Sequence, residues 1–171
     1  MRLFVAIWPS AEVRDRLRAL ARPAVPGLRW TTPDQWHVTI AFLGEVPDGG
    51  QMAAAGALAG IARQLPDRPH AIMGPATAIL GQGILCLPVV GLDEVARVVR
   101  ASPLGRYVRL EELPFNGHLT LARARRGRRV PDDLCGVPVE ARWPVDEICL
   151  VSSRLHAEGA RYETLAGATI R

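Results

Sequence analysis

The 171 residues carry 21 basic and 17 acidic side chains, and every basic one is arginine. Without a lysine the chain can form no Schiff base, close no phosphate-cradling loop on the usual lysine, and carry no lysine-bound adenylate, which excludes ATP-dependent ligation through such an adduct. The 49% hydrophobic and 22% charged residues are ordinary for a globular protein, and the length suits one domain over residues 1–171, or two small lobes sharing a core.

Residues 2–8 alternate as a strand stopped by Pro9, and Ser10 then caps a helix with Val13, Leu17 and Leu20 at helical spacing. A turn-rich stretch holds a short extended piece at 28–31, and WHVTIAFLG, residues 36–44, alternates as a strand. Residues 51–65 are alanine-rich and helical; 70–80 and 83–90 read as two strands joined around Gly81, Gln82 and Gly83. A further helix over 92–101 precedes strands at 118–124, 137–144, 145–155 and 161–170, the last after a turn at 157–160. Hairpin-length connections favour an α+β fold of antiparallel layers over a doubly wound parallel sheet.

The longest low-polarity run, residues 52–62, is about half of what a bilayer requires, and the opening MRLFVAIWPS is too short an apolar run for a signal peptide. Cys86, Cys135 and Cys149 form no C-x-x-C pair and read as reduced thiols. A cytoplasmic protein is expected, with no membrane association. Its positive charge is concentrated in RARRGRR, residues 123–129; outside that run 16 arginines face 17 acids. Such a run is either a solvated loop or a contact for a polyanion.

One internal similarity carries chemistry. HVTIAFLG (37–44) and HLTLARAR (118–125) both hold His-x-Thr-x with apolar x. On a strand, residues two apart share a face, so His37 stands with Thr39 and His118 with Thr120, while Val38, Ile40, Leu119 and Leu121 point to a core. Histidine is the side chain that titrates near neutrality. Two imidazoles on opposite sides of a phosphorus can remove a proton from water and return one to a leaving alkoxide. The threonine hydroxyls can donate to the non-bridging oxygens. Arg123 falls in the phase of the core positions and reaches a phosphate only if the strand twists or ends there. No metal or other cofactor is called for by this scheme.

The two motifs, together with MRLFVAI, RWTTPDQWHVTIAFLGEV, PFNGHLTLAR, PVDEICLVSSRL and GARYETLA, resemble the two-histidine phosphoesterases, and among them the RNA 2′,3′-cyclic phosphodiesterases, also called 2′-5′ RNA ligases. The resemblance implies two pseudo-symmetric lobes of antiparallel sheet with outer helices and a central cleft. It also implies hydrolysis of RNA or nucleotide 2′,3′-cyclic phosphates to 2′-phosphomonoesters, with His37 as proton donor and His118 as proton acceptor. The reverse direction joins a cyclic phosphate to a 5′ hydroxyl without ATP. Two positions depart from the family pattern: Gly117 stands where proline is usual, which is expected to loosen the entry to the strand, and Ala41 where lysine is common. Phe115 and Trp30 are candidates to stack on a base, and Arg125 and Arg126 to contact phosphates at the cleft mouth. Alternatives are an enzyme for small cyclic phosphates, such as ADP-ribose derivatives, and a catalytically silent RNA-binding module. A monomer is expected.

Overall fold

The computed structural model describes residues 1–65, 67–108, 114–156 and 159–170. Among these residues ten strands and three α-helices follow one another. In order they are β1 (Arg2–Ile7), α1 (Ala11–Arg18), β2 (Leu28–Trp30), β3 (Val38–Glu45), α2 (Gly50–Ala62), β4 (His70–Met73), β5 (Ala78–Leu80) and β6 (Ile84–Val90). Then come α3 (Asp93–Ala101), β7 (His118–Ala124), β8 (Ala141–Pro144), β9 (Glu147–His156) and β10 (Gly159–Thr169). All recorded strand pairings are antiparallel, and the hydrogen-bonded order is β10-β9-β1-β3-β7-β6-β4-β8, with β2 added to β7 and β5 to β6. This is the expected α+β architecture.

Local sequence accounts for most of the boundaries. The Ser10 hydroxyl accepts from the Val13 amide at 3.3 Å, capping α1, whose Val13 and Leu17 are buried. The β5–β6 hairpin closes on Leu80 opposite Ile84, around the glycines read as its turn. Two expectations need correction. Residues 70–80 are not one strand, because Gly74 and Pro75 break the run: β4 pairs with β6 and β8, whereas β5 pairs with β6 alone. The strand expected over 137–144 forms only at Ala141–Pro144. The turn expected at 157–160 lies partly outside the described residues.

The central strands β3 and β7 touch at one registered pair, Val38 opposite Leu119. They then diverge, β3 into the sheet with β1 and β9, and β7 into the sheet with β6 and β2. α2 covers β9 and β10, α3 packs on β3, and α1 reaches β8. One continuous core runs beneath, from Leu3, Val5 and Ile7 through Val38, Leu85 and Leu119 to Val99 and Leu150. Burying these side chains, each contributing roughly 1.5–3 kcal/mol, leaves the opposite face of β3 and β7 free for polar groups.

Candidate active site

That opposite face opens into a cleft of about 500 Å³, lined by His37, Thr39, His118 and Thr120 among others. The volume lies within the roughly 300–1,000 Å³ usual for small-ligand sites. Antiparallel pairing at Val38 and Leu119, carried one residue each way, sets His37 across from Thr120 and Thr39 across from His118. The histidines therefore occupy one diagonal of a square and the threonines the other. Diagonal positions lie roughly 7–8 Å apart, which leaves room for a phosphorus between two imidazoles.

Both rings are held in the same way. His37 Nδ1 lies 2.7 Å from the Gln35 carbonyl and His118 Nδ1 lies 2.9 Å from the Asn116 carbonyl, two residues back in each case. A carbonyl oxygen only accepts, so each Nδ1 carries its hydrogen and Nε2 remains for proton transfer in the cleft. Gln35 is anchored in turn: its side chain donates to the Ala160 carbonyl at 2.7 Å and accepts from the Thr32 amide at 3.1 Å.

The surroundings of the two rings differ. His37 packs against Phe4 and Tyr162, with centroids 4.9 Å away in both cases, and against Trp8 at 5.6 Å. Burial there holds its pKa down at about 4, with the Arg123 guanidinium and the second imidazole adding to the effect and the Gln35 hydrogen bond opposing it. The Tyr162 phenol is pushed up by burial, while Arg123 and Arg29 pull it the other way. Burial and Glu147 raise the Cys149 thiol to about 12, and burial raises Cys86, so neither is a thiolate nucleophile near neutral pH.

Arg123 lines the cleft through a device that sequence phase does not reveal. Thr120 pairs with Cys86, and Ala122 pairs with Leu85, the next residue on β6. Leu121 is thus the extra residue of a β-bulge. Leu121 and Ala122 both point inward, and Arg123 comes round to the face of His118 and Thr120. The bulge is pinned from β2. The Thr31 amide donates to the Leu121 carbonyl at 2.8 Å, and the buried Thr31 hydroxyl lies 2.8 Å from the same oxygen and 2.9 Å from that of Thr120. Trp36 Nε1 donates to that hydroxyl at 3.0 Å. The first motif repeats the bulge. Thr39 pairs with Ala6 and Ala41 with Val5, so Ile40 is extra, Ala41 turns into the core and Phe42 returns to the cleft. The lysine common in the family at position 41 is replaced on the core side, not at the cleft rim.

Other candidates fall elsewhere. Trp30 and Phe115 pack against the core and are not among the cleft-lining residues; Trp30 alternates with Arg29, and it is Arg29, paired across from Arg123, that faces the cleft. Arg125 and Arg126 are exposed beyond the end of β7 and do not line the cleft either, because the strand carries them past its mouth. Gly117 does not loosen the chain. It is buried, its carbonyl accepts from the Val89 amide at 2.8 Å, and a Cβ there would run into the Val89 carbonyl. Residues not singled out from the sequence, Arg29, Gln35, Phe4 and Phe42, line the cleft; they come from β1, β2, the turn before β3 and the far part of β3, whose approach is a tertiary event. Gly159, in the closing GARYE segment, has φ +127°, and a Cβ there would strike the Arg29 guanidinium, so this glycine makes room for the cation.

A curled antiparallel sheet that offers two His-x-Thr strands to one cleft is the architecture of a two-histidine phosphoesterase. A LigT-like phosphoesterase family model matches residues 7–69. The RNA 2′,3′-cyclic phosphodiesterase of Thermus thermophilus is 30% identical over the whole of this chain and 91% of its own length. The protein of the same name from Geobacillus stearothermophilus is 28% identical over 95% of this chain, which spans 55% of that longer protein. A crystal structure from T. thermophilus aligns over 100% of this chain and 98% of its own with a TM-score of 0.83 and 28% identity. The chain belongs to the RNA 2′,3′-cyclic phosphodiesterase family of LigT-like phosphoesterases.

Proposed function

We propose that the protein hydrolyses 2′,3′-cyclic phosphates at RNA ends and on nucleotides to 2′-phosphomonoesters, using His37 and His118 as an acid–base pair. The observation that carries this reading is the square of two histidines and two threonines, with each imidazole held through Nδ1 and its Nε2 left for the substrate. Water attacks phosphorus as the P–O3′ bond breaks. His118 takes the water proton and His37 gives one to O3′, so the sum is one water added and the two imidazoles exchange protonation states. Thr39, Thr120 and Arg123 bear the charge that grows on the non-bridging oxygens. With a 5′ hydroxyl in place of water, the same steps leave a 2′-5′ linkage without ATP.

The donor role makes a demand on His37, whose pKa of about 4 leaves it neutral at pH 7. A bound phosphate anion offsets Arg123 and stabilises the imidazolium, so substrate binding loads the acid. A second reading is favoured by the low pKa alone: His37 acts as the base and His118 as the donor. Titration of both imidazoles by NMR with and without 2′-AMP separates the two. A His37 pKa rising toward neutrality supports it as donor; one that stays near 4 reverses the roles. Because both histidines come from one chain, a monomer suffices for a complete site. Among the described residues no helix is long and apolar enough to cross a membrane, and three free thiols suit the reducing cytoplasm.

A further inference from the structure

Of the segments that carry the family resemblance, the closing GARYE, residues 159–163, takes no part in the proton transfers, yet three of its residues reach the cleft. Gly159 leaves space for the Arg29 guanidinium, the Ala160 carbonyl accepts from the Gln35 side chain, and the Tyr162 ring stands edge-on to His37. The second of these contacts falls where the strand ladders have not yet begun. The β1–β3 ladder reaches Ile7 opposite Val38 and the β3–β7 register holds Val38 alone, so residues 35–37 precede both. The carbonyl that orients His37 therefore belongs to the short 3₁₀ helix Pro33–Gln35 and not to a strand. The Gln35 side chain ties that helix down. Its Nε2 donates to β10 at 2.7 Å, its Oε1 accepts from the Thr32 amide at 3.1 Å, and the Gln35 amide itself donates to the Thr32 carbonyl at 2.8 Å. The His118 side is held differently. There the Gly117 carbonyl, next to that of Asn116, accepts from the Val89 amide at 2.8 Å and continues the main-chain ladder of β6 with β7.

We propose that Gln35 is a positioning residue for the reaction: by clasping β10 it fixes the carbonyl that keeps the hydrogen of His37 on Nδ1 and aims Nε2 at the substrate. The closing hairpin β9–β10 is thus a brace for one of the two imidazoles. The inference rests on the reading of His37 as a proton-transfer residue. Which ring nitrogen carries the hydrogen is set by the bond that the other surroundings offer it, here a carbonyl that only accepts. The same bond favours the charged imidazole against burial. Glutamine suits the place because one planar amide supplies both the acceptor for Thr32 and the donor for Ala160; glutamate lacks the donor and asparagine is one methylene short.

Gln35→Met keeps the length of the side chain and removes both of its hydrogen bonds. With 2′,3′-cyclic AMP as substrate, it is expected to lower kcat by roughly 10- to 100-fold while KM stays within about twofold, the cost of a displaced proton-transfer group. Ring-nitrogen NMR of the protein without substrate should show His37 passing from the Nδ1–H tautomer to a mixture of both, with His118 unchanged as the control for an intact fold. An unchanged kcat, a loss confined to KM, or equal changes in both histidines would overturn the proposal. Because the tautomer is read without turnover, the two readings fail separately. A change at His37 alone supports the clasp even if the wild type cleaves no cyclic phosphate, and an unchanged His37 tautomer rejects it even if the hydrolase reading stands.

Discussion

His37 and His118 are the same side chain in two settings, one boxed by Phe4, Trp8 and Tyr162 and the other with no such box among the described residues, and the difference has measurable consequences. Because the folded pKa of His37 is depressed to about 4, the unfolded chain takes up its proton first, near pH 6.5. Stability owed to this residue is therefore undiminished above pH 6.5, falls as pH drops from 6.5 to 4, and is flat below; the full loss is up to about 3 kcal/mol. Denaturant titrations of wild type and His37→Gln across that window should diverge by this slope, and parallel curves would place the imidazole in a wetter site. At Gly117 the expectation is steric: Gly117→Ala forces the new methyl against the Val89 carbonyl and should destabilise the fold by about 1–3 kcal/mol in chemical denaturation.

At the level of the strand, the two bulges are what turn a pair of motifs into a site. Period-two alternation is enough to place His37 with Thr39 and His118 with Thr120, and for that reason each His/Thr pair is readable in the sequence, although their meeting across two strands is not. It cannot announce an inserted residue, so Arg123 falls in core phase on paper and in the cleft in space, and Phe42 passes for a core aromatic. Trp30 and Phe115 fail as stacking candidates for the complementary reason: which face of β2 or of the segment before β7 meets the cleft is set by distant strands. The Thr31 hydroxyl, shared between the bulge carbonyls and Trp36, is the accessible test of this device. Thr31→Val keeps the shape but leaves the Trp36 N–H buried without its acceptor, which costs about 1–3 kcal/mol. It should also lower kcat/KM, with the loss non-additive with Arg123→Ala in a double-mutant cycle. Additive losses would mean that the bulge does not act through Arg123.

Across the whole molecule, the antiparallel α+β class and the hairpins follow from connection lengths, while the meeting of the two halves at a single pair, Val38 and Leu119, and the crossing of α1 and α3 to the opposite halves do not. These are packing outcomes between segments far apart in the chain. The charge distribution also gains a division of labour. Arg29 and Arg123 face the cleft, whereas Arg125, Arg126, Arg128 and Arg129 lie outside it. Neutralising those four should weaken binding of oligoribonucleotides and flatten its salt dependence, each lost phosphate contact removing about one unit of the log–log slope at most. Hydrolysis of a cyclic mononucleotide should be unaffected, and an equal fall for both substrates would make the run part of the cleft after all.

The central claim, that two imidazoles open a 2′,3′-cyclic phosphate toward the 2′-phosphate, is tested most directly by product analysis. RNA ending in a 2′,3′-cyclic phosphate is incubated in EDTA with wild type, His37→Ala and His118→Ala, and the 2′- and 3′-phosphate ends are separated. The proposed chemistry predicts 2′-phosphate from the wild type and a drop of about 10²–10⁴-fold in rate for each variant. A 3′-phosphate product, or variants that keep the wild-type rate, would contradict it.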